Sequence, residues 1–224
     1  MKTVIVSGGH IEDGFATRWI QEHPYDYRIA ADRGMEFFYR SGLTPDLIVG
    51  DYDSVSSEVL RFYQSNPSVE LITLNPVKDD TDTEFAIRKA IEKGATSITL
   101  LGSTGSRLDH VLGNIELLGI ALKYEAESGC KVQMEIIDAH NRIYMIDKSI
   151  ELTKEGQFGT YVSLIPITTE VKGLTLSGFK YPLKNHTLKK FSTLGISNEI
   201  AGTVAKIELY EGVLLVIESS DERK

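Results

Sequence analysis

The stretch Asp46-Leu47-Ile48-Val49-Gly50-Asp51-Tyr52-Asp53-Ser54 decides the reading of the chain. Three apolar residues run into a glycine and two carboxylates follow at once, the pattern of a buried strand that ends where solvent and chemistry begin. In a doubly wound α/β sheet ligands collect at the carboxyl ends of the strands, so Asp51 and Asp53 fall where a site belongs. Two further segments share this character. The run Lys78-Asp79-Asp80-Thr81-Asp82-Thr83-Glu84 opens a helical pattern, and Gly102-Ser103-Thr104-Gly105-Ser106-Arg107-Leu108-Asp109-His110 follows a β-like run at 98–101. Together the three outline a site for Mg²⁺ and a polyphosphate.

Outward from this stretch, β-like runs at residues 4–6, 28–31, 47–49, 69–74 and 98–101 alternate with helical patterns at 11–22, 34–41, 56–65 and 83–93. That alternation is the βαβ rhythm of a parallel sheet. A last helix is predicted from Leu108 to about Glu127, with Val111, Leu112, Ile115, Leu118 and Leu122 at helical spacing. From Lys131 the period changes to alternation, in β-like segments at 132–137, 142–146, 161–167, 203–209 and 213–218 with glycines between them. The expected fold is a Rossmann-like, doubly wound α/β domain over residues 1–129, followed by an all-β sandwich over residues 130–224.

The 224 residues, 42% of them apolar, suffice for two modest cores. A net charge of −8 without a concentrated basic block speaks against a nucleic-acid partner, which needs cations facing phosphates. An acidic surface also tolerates a cationic small molecule better than a polyanion. The single cysteine, Cys130, forms no intramolecular disulfide, and no Cys/His cluster has zinc-ligand spacing, as expected of a cytoplasmic protein. The apolar run after Met1 breaks at Gly8-Gly9 and is expected to be a first strand, not a signal; no run approaches the roughly 18 apolar residues of a membrane span.

Each motif has a bland reading beside the chemical one. Asp51 and Asp53 suit chelation of a hard cation, and equally a solvated turn. The acidic run ending at Glu84 precedes an apolar helical face and a basic far end, which is also what the helix dipole favours. Gathered at one sheet edge, however, these carboxylates repel, and a divalent ion relieves the repulsion. The loop from Gly102 to Arg107 has small residues whose N–H groups can approach phosphate at a helix N-terminus, with Arg107 as a bidentate partner. It lacks the Gly-Lys-Ser/Thr ending of a Walker A loop, and Gly8-Gly9 lacks the third glycine of the dinucleotide fingerprint. Arg107, His110 and Asn114 share a helical face, where His110 serves either as a phosphate donor or as a structural hydrogen-bonder. The other histidines show no convergent spacing, and there is no Ser/His/Asp nucleophile pattern.

The ordered set Gly8-Gly9, Asp32-Arg33-Gly34, Pro45-Asp46 with Gly50-Asp51-Tyr52-Asp53-Ser54, Lys78-Asp79 through Thr81-Asp82, and Gly105-Ser106-Arg107-Leu108-Asp109-His110 resembles thiamine pyrophosphokinases. The resemblance continues through Gly173-Leu174, Tyr181-Pro182-Leu183 and Gly195-Ile196-Ser197-Asn198-Glu199, so it spans nearly the whole chain. It implies an N-terminal domain for ATP, a C-terminal thiamine-binding sandwich, and a homodimer with thiamine sites between subunits. The implied reaction is attack of the thiamine hydroxyl on the β-phosphorus of ATP, giving thiamine diphosphate and AMP. By motif, Asp51, Asp53 and Asp82 are implied to hold Mg²⁺. Arg107 and the loop of Gly102, Ser103, Thr104, Gly105 and Ser106 hold phosphates, with Asp109 supporting them. Asp32, Arg33 and His110 are further candidates on the ATP side, while Ser197 and Asn198 contact the thiamine pyrimidine.

Ser106 stands where many relatives carry a second glycine, and Tyr52 where many carry phenylalanine; neither change removes a ligand. Two other readings compete: pyrophosphoryl transfer to a hydroxymethylpterin, and a non-catalytic nucleotide or thiamine-phosphate sensor. The β-rich half with Ser197-Asn198-Glu199 speaks against the first. The complete set Asp51, Asp53, Asp82 and Arg107 speaks against the second, since a sensor needs no metal and phosphate machinery.

Overall fold

The computed structural model describes residues 1–75, 79–105 and 107–221. The chain forms two compact units, Met1–Ala139 and His140–Lys224. In the first, strands β1 (Lys2–Val6), β2 (Tyr27–Ala31), β3 (Leu47–Gly50), β4 (Glu70–Thr73), β5 (Ser97–Leu101) and β6 (Gln133–Ile137) lie in the order β4-β3-β2-β1-β5-β6. Every pair among them is parallel. The inner strands are near-continuous apolar runs because both faces are covered: Val4, Ile5, Val6, Leu47, Ile48 and Val49 are all fully buried. At the edge, β4 exposes Glu70 and Thr73.

Helices α1 (Asp13–Glu22), α2 (Gly34–Ser41), α3 (Ser57–Gln64) and α4 (Asp82–Glu92) connect successive strands from β1 to β5. The order runs one way from β1 to β4 and then reverses past β1 to β5. Right-handed crossovers therefore place α1–α3 on one face and α4 on the other, where it packs against β1, β2 and β3. The α4 face is Thr83, Ala86, Ile87 and Ala90, at three- and four-residue spacing, and Thr81 caps the helix by accepting from the Glu84 N–H at 3.2 Å. The neighbours β1 and β5 flank the point where the order reverses, the place where such sheets bind ligands.

The predicted single helix after β5 is two, α5 (Leu108–Leu117) and α6 (Gly119–Ser128). Leu118, buried between them, bonds its N–H to the Ile115 carbonyl three residues back at 3.1 Å. That closure, with glycine following, ends the four-residue ladder. Segment 132–137, assigned by its alternation to the β-rich half, instead contributes β6, paired parallel to β5 in the first unit.

In the second unit β13 (Leu214–Ser219) pairs antiparallel with β7 (Asn141–Ile146) and β9 (Tyr161–Pro166). A separate antiparallel sheet has the order β11-β10-β12-β8, from β11 (Leu183–Lys189), β10 (Glu170–Ser177), β12 (Val204–Glu208) and β8 (Ile150–Thr153). Val162, Leu164, Leu214 and Val216 from the first set pack on Val171, Leu174, Leu176, Leu188, Ala205 and Ile207 from the second, making the expected sandwich core. Three of its strands escape the periodicity. β10 carries Gly173 at φ 70° within the first of two register shifts, β11 is mostly polar with Asn185 at φ 46°, and β8 is only four residues long.

Gly34 begins α2 so close to β1 that a Cβ there would stand 1.9 Å from the Val6 carbonyl oxygen. Gly34→Ala is therefore expected to destabilise the first unit by about 3 kcal/mol or more, since backbone must shift to admit the methyl. Urea denaturation checks this; a loss below about 1 kcal/mol would contradict the packing.

Candidate active site

Three loops meet at the carboxyl edge beside the reversal. After β1, Ser7 is buried and bonded through its N–H to the Leu101 carbonyl, and the Gly9 N–H donates to the Gly102 carbonyl at 2.9 Å. After β5, Gly102 adopts φ 64°, and a methyl on it would lie 2.6 Å from the Ser7 carbonyl oxygen. At the start of α4, the buried Thr83 hydroxyl donates to the Ser7 hydroxyl at 3.0 Å, and the buried Ser103 hydroxyl donates to the same oxygen at 3.2 Å. This hydroxyl cluster ties the N-terminus of α4, and with it Asp82, to the ends of β1 and β5.

The ends of β2 and β3 supply the other carboxylates. Asp32 follows β2 at φ 50°, half-buried, with the Ser54 hydroxyl donating to its two oxygens at 2.9 and 3.2 Å. Burial raises its carboxyl above the ordinary value; hydrogen bonds from Ser54 and from the Arg33 backbone oppose the rise, and the charges of Asp82 and Asp51 add to it. Asp32 therefore feels both Asp51 and Asp82. In the turn after β3, Asp51 accepts from the Asp53 N–H at 3.2 Å. Between them Tyr52 is at φ 64°, unusual for a bulky residue, and is held there by its hydroxyl donating to the Ile72 carbonyl at 2.9 Å. Burial pushes the Tyr52 phenol up to about 12, so the hydroxyl stays a donor at neutral pH. Among the described residues no three His, Cys, Asp or Glu side chains are grouped closely enough to hold a metal ion.

The loop after β5 is pinned from several sides. Asn114 of α5 donates to the Ser103 carbonyl at 2.9 Å, and the Thr104 hydroxyl donates to Asp138 at 2.7 Å. Ser103 and Thr104, in the loop expected to hold phosphate, thus turn their hydroxyls to protein partners. Arg107 forms a two-point pair with Asp109, at 2.6 and 3.2 Å, and both side chains are largely exposed. The Arg107 guanidinium holds the Asp109 carboxyl below its ordinary value. His110 is exposed, and Ser106 and Lys78 lie outside the described residues. Arg33 is exposed and reaches Glu36 at 3.4 Å.

In the second unit, residues 195–198 run beside β9, with Asn198 and Val162 exchanging both backbone hydrogen bonds at 2.8 and 3.0 Å. Ser197 is exposed at φ 56°. The Asn198 side chain is buried: its oxygen accepts from the N–H groups of Tyr181 and Glu199, and its amide donates to the Tyr181 carbonyl at 2.8 Å. Those bonds use both acceptor sites and one of its two donor protons.

Several residues at the first site carry no sequence signal. Ser7 meets Thr83 and Ser103 across 76 and 96 positions, and Asp138 meets Thr104 across 34, separations that no local pattern encodes. His10 lies across from Gly105, where a Cβ would stand 2.9 Å from its own, and helps line a cleft of about 310 Å³ with Ser7, Gly8, Gly9, Arg33 and Glu36.

A carboxyl whose folded pKa is raised costs stability once ionised, and the cost disappears as pH falls below the unfolded carboxylate range. Asparagine tolerates positive φ. Asp32→Asn is therefore expected to raise the Tm of metal-free protein at pH 7, the gain fading as pH falls toward the ordinary carboxylate range and gone below about pH 4. Scanning calorimetry across that range checks it; a lower Tm at pH 7 would contradict the repulsion.

Comparison with known proteins identifies the family of the chain. The family model described as thiamin pyrophosphokinase, catalytic domain, matches residues 21–133, and the one described as thiamin pyrophosphokinase, vitamin B1 binding domain, matches residues 147–214. The chain is 34% identical to a thiamine pyrophosphokinase of Bacillus subtilis (strain 168), over 99% of this chain and 100% of the relative. It superposes on the crystal structure of thiamine pyrophosphokinase from Bacillus subtilis with a TM-score of 0.86 and 31% identity, covering 99% and 100% of the two chains. For thiamin pyrophosphokinase from Geobacillus thermodenitrificans the TM-score is 0.83 and the identity 35%, covering 99% of each. The yeast thiamin pyrophosphokinase, 18% identical with a TM-score of 0.77 and coverage of 97% and 86%, shares the fold. The chain belongs to the thiamine pyrophosphokinase family.

Proposed function

We propose that the carboxyl edge of the first unit is where this ATP-dependent pyrophosphotransferase joins the pyrophosphoryl group of ATP to the hydroxyl of thiamine. The observation that carries the proposal is the convergence there of Asp32, Asp51 and Asp82 with a pinned glycine-rich loop and the N-terminus of α5. The loop and helix end receive phosphate oxygens through main-chain N–H groups and the helix dipole. Arg107 then exchanges its Asp109 partner for a phosphate, or shares it between the two. The hydroxyl oxygen of thiamine bonds to the β-phosphorus as the bond to the α–β bridging oxygen breaks, and AMP departs. Positioning and charge neutralisation dominate such a step, so a strong general base is not required.

The donor chemistry suits Mg²⁺, which prefers oxygen ligands and combines one or two carboxylates with water and phosphate oxygens. A preformed cage of three carboxylates is therefore not needed. Asp51, Asp53 and Asp82 are the residues to hold it; when bound, it neutralises charge on the polyphosphate. In the second unit, Ser197 offers an exposed hydroxyl to the thiamine pyrimidine, and Asn198 offers its remaining amide proton while holding the Tyr181 segment. Around them Phe191, Leu194, Ile196 and Tyr181 are exposed, at 101, 54, 42 and 59%. An apolar rim beside a polar contact supports a thiamine site completed by a second copy of the chain.

Incubating the protein with ATP, Mg²⁺ and thiamine should yield AMP and thiamine diphosphate in equal amounts; ADP as the product would overturn the proposed transfer. Asp51→Asn and Asp82→Asn should each lower turnover about a hundredfold or more while the fold survives. Normal turnover at saturating Mg²⁺ would remove that residue from the metal site. Asn198→Ala should weaken thiamine affinity by about tenfold, since it leaves a polar group of the substrate unpaired. Mixing Asp51→Asn with Asn198→Ala subunits should then restore activity at low thiamine, because one interface of the mixed dimer carries both intact halves. Fully exchanged mixtures as inactive as their parents would place thiamine within one chain.

A further inference from the structure

The loop after β5 presents a chemical puzzle. Its two described hydroxyl residues, Ser103 and Thr104, both direct their oxygens to protein groups, Ser7 and Asp138. Among the described residues no backbone carbonyl accepts from the N–H groups of Ser103, Thr104 or Gly105. The loop is thus arranged so that side chains fasten it and main chain remains to meet an anion. The fastening is uneven. Gly9, Ser7 and Asn114 hold Gly102 and Ser103, at the loop's first half. The Thr104 hydroxyl is held by the Asp138 carboxylate at 2.7 Å, where both residues are half-buried. Just beyond it Gly105 turns at φ 86°, so the direction of the second half depends on where Thr104 is fixed.

Asp138 follows directly on β6, the parallel neighbour of β5, and is carried by a rigid element. Its carboxylate beside a phosphate-receiving loop would repel a phosphate brought into contact with it, so direct binding is not its use. We propose that Asp138 is a positioning residue for the transfer, one that sets the Gly102–Gly105 segment through the Thr104 hydroxyl; this rests on the reading of that segment as the phosphate site.

Steady-state kinetics of five variants test it. Asp138→Ala should raise the KM for ATP and lower kcat, together by about tenfold to a hundredfold in kcat/KM, with the KM for thiamine within about twofold of the parent. Thr104→Val should act in the same direction, and the double variant should be no worse than Asp138→Ala, because both substitutions remove the shared Thr104–Asp138 bond. Asp138→Asn, whose amide oxygen still accepts the Thr104 hydroxyl, should recover most of the activity. Arg107→Ala, measured alongside, should weaken ATP use. If Asp138→Ala is normal while Arg107→Ala is impaired, the positioning role is wrong and the phosphate site stands. If both are normal, the loop is not the phosphate site and the inference falls with it. Additive losses in the double variant, or an Asp138→Asn as poor as Asp138→Ala, would also overturn it, the latter by showing that the charge itself acts.

Discussion

Backbone packed directly on backbone, at the carboxyl ends of the parallel neighbours β1 and β5, is the constraint on which the rest of the first unit depends. The Val6 carbonyl approaches Gly34, the Ser7 carbonyl approaches Gly102, and the Gly9 N–H bonds to the Gly102 carbonyl. No side chain fits at these positions, so the loops after β1 and β5 and the start of α2 draw together on one edge. Proximity of that kind is what allows main-chain N–H groups and helix termini to converge on a single polyanion. The glycines of the motifs are thus packing residues first, and the proposed ligand site follows from the packing.

The same edge accumulates unfavourable local features. Asp32 and Tyr52 adopt left-handed backbone, Asp32 is half-buried, and its charge faces those of Asp51 and Asp82. Each costs stability, and the surrounding sheet holds them in place. Like charges kept close are relieved by a cation, which supports the proposal that a divalent ion and its polyphosphate bind at this edge. The second unit shows a milder version, with Phe191 and Ser197 at positive φ beside exposed apolar side chains near the proposed thiamine contact. In both units the departures from ordinary local structure coincide with proposed function.

What the sequence discloses is divided along physical lines. Leu47–Gly50 and the other parallel strands are legible because burial on both faces forces continuous apolar runs, and α4 because its apolar face repeats at helical spacing. Strand β10 is not, since Gly173 and two register shifts break its alternation, and β6 is legible as a strand but not as a member of the first sheet. Asp51, Asp53, Asp82 and Arg107 are conspicuous as charged residues beside strand and helix ends. Ser7, Thr83 and Asp138 are silent, because a buried hydroxyl or a lone carboxylate acquires its meaning from a partner far away in the chain. Even where Ser103 and Thr104 fall at the predicted loop, only the structure shows that their hydroxyls face inward.

The central claim is that repulsion at this edge is relieved jointly by a divalent cation and the nucleotide. Thermal denaturation with Mg²⁺, with a non-hydrolysable ATP analogue, and with both, measures this directly. A ligand at one hundred times its Kd stabilises by about 2.7 kcal/mol, which is several degrees in Tm for a domain of this size. The account predicts a shift with both together that clearly exceeds the sum of the separate shifts. An analogue that stabilises the protein equally well with and without Mg²⁺, or no shift with both present, would contradict it.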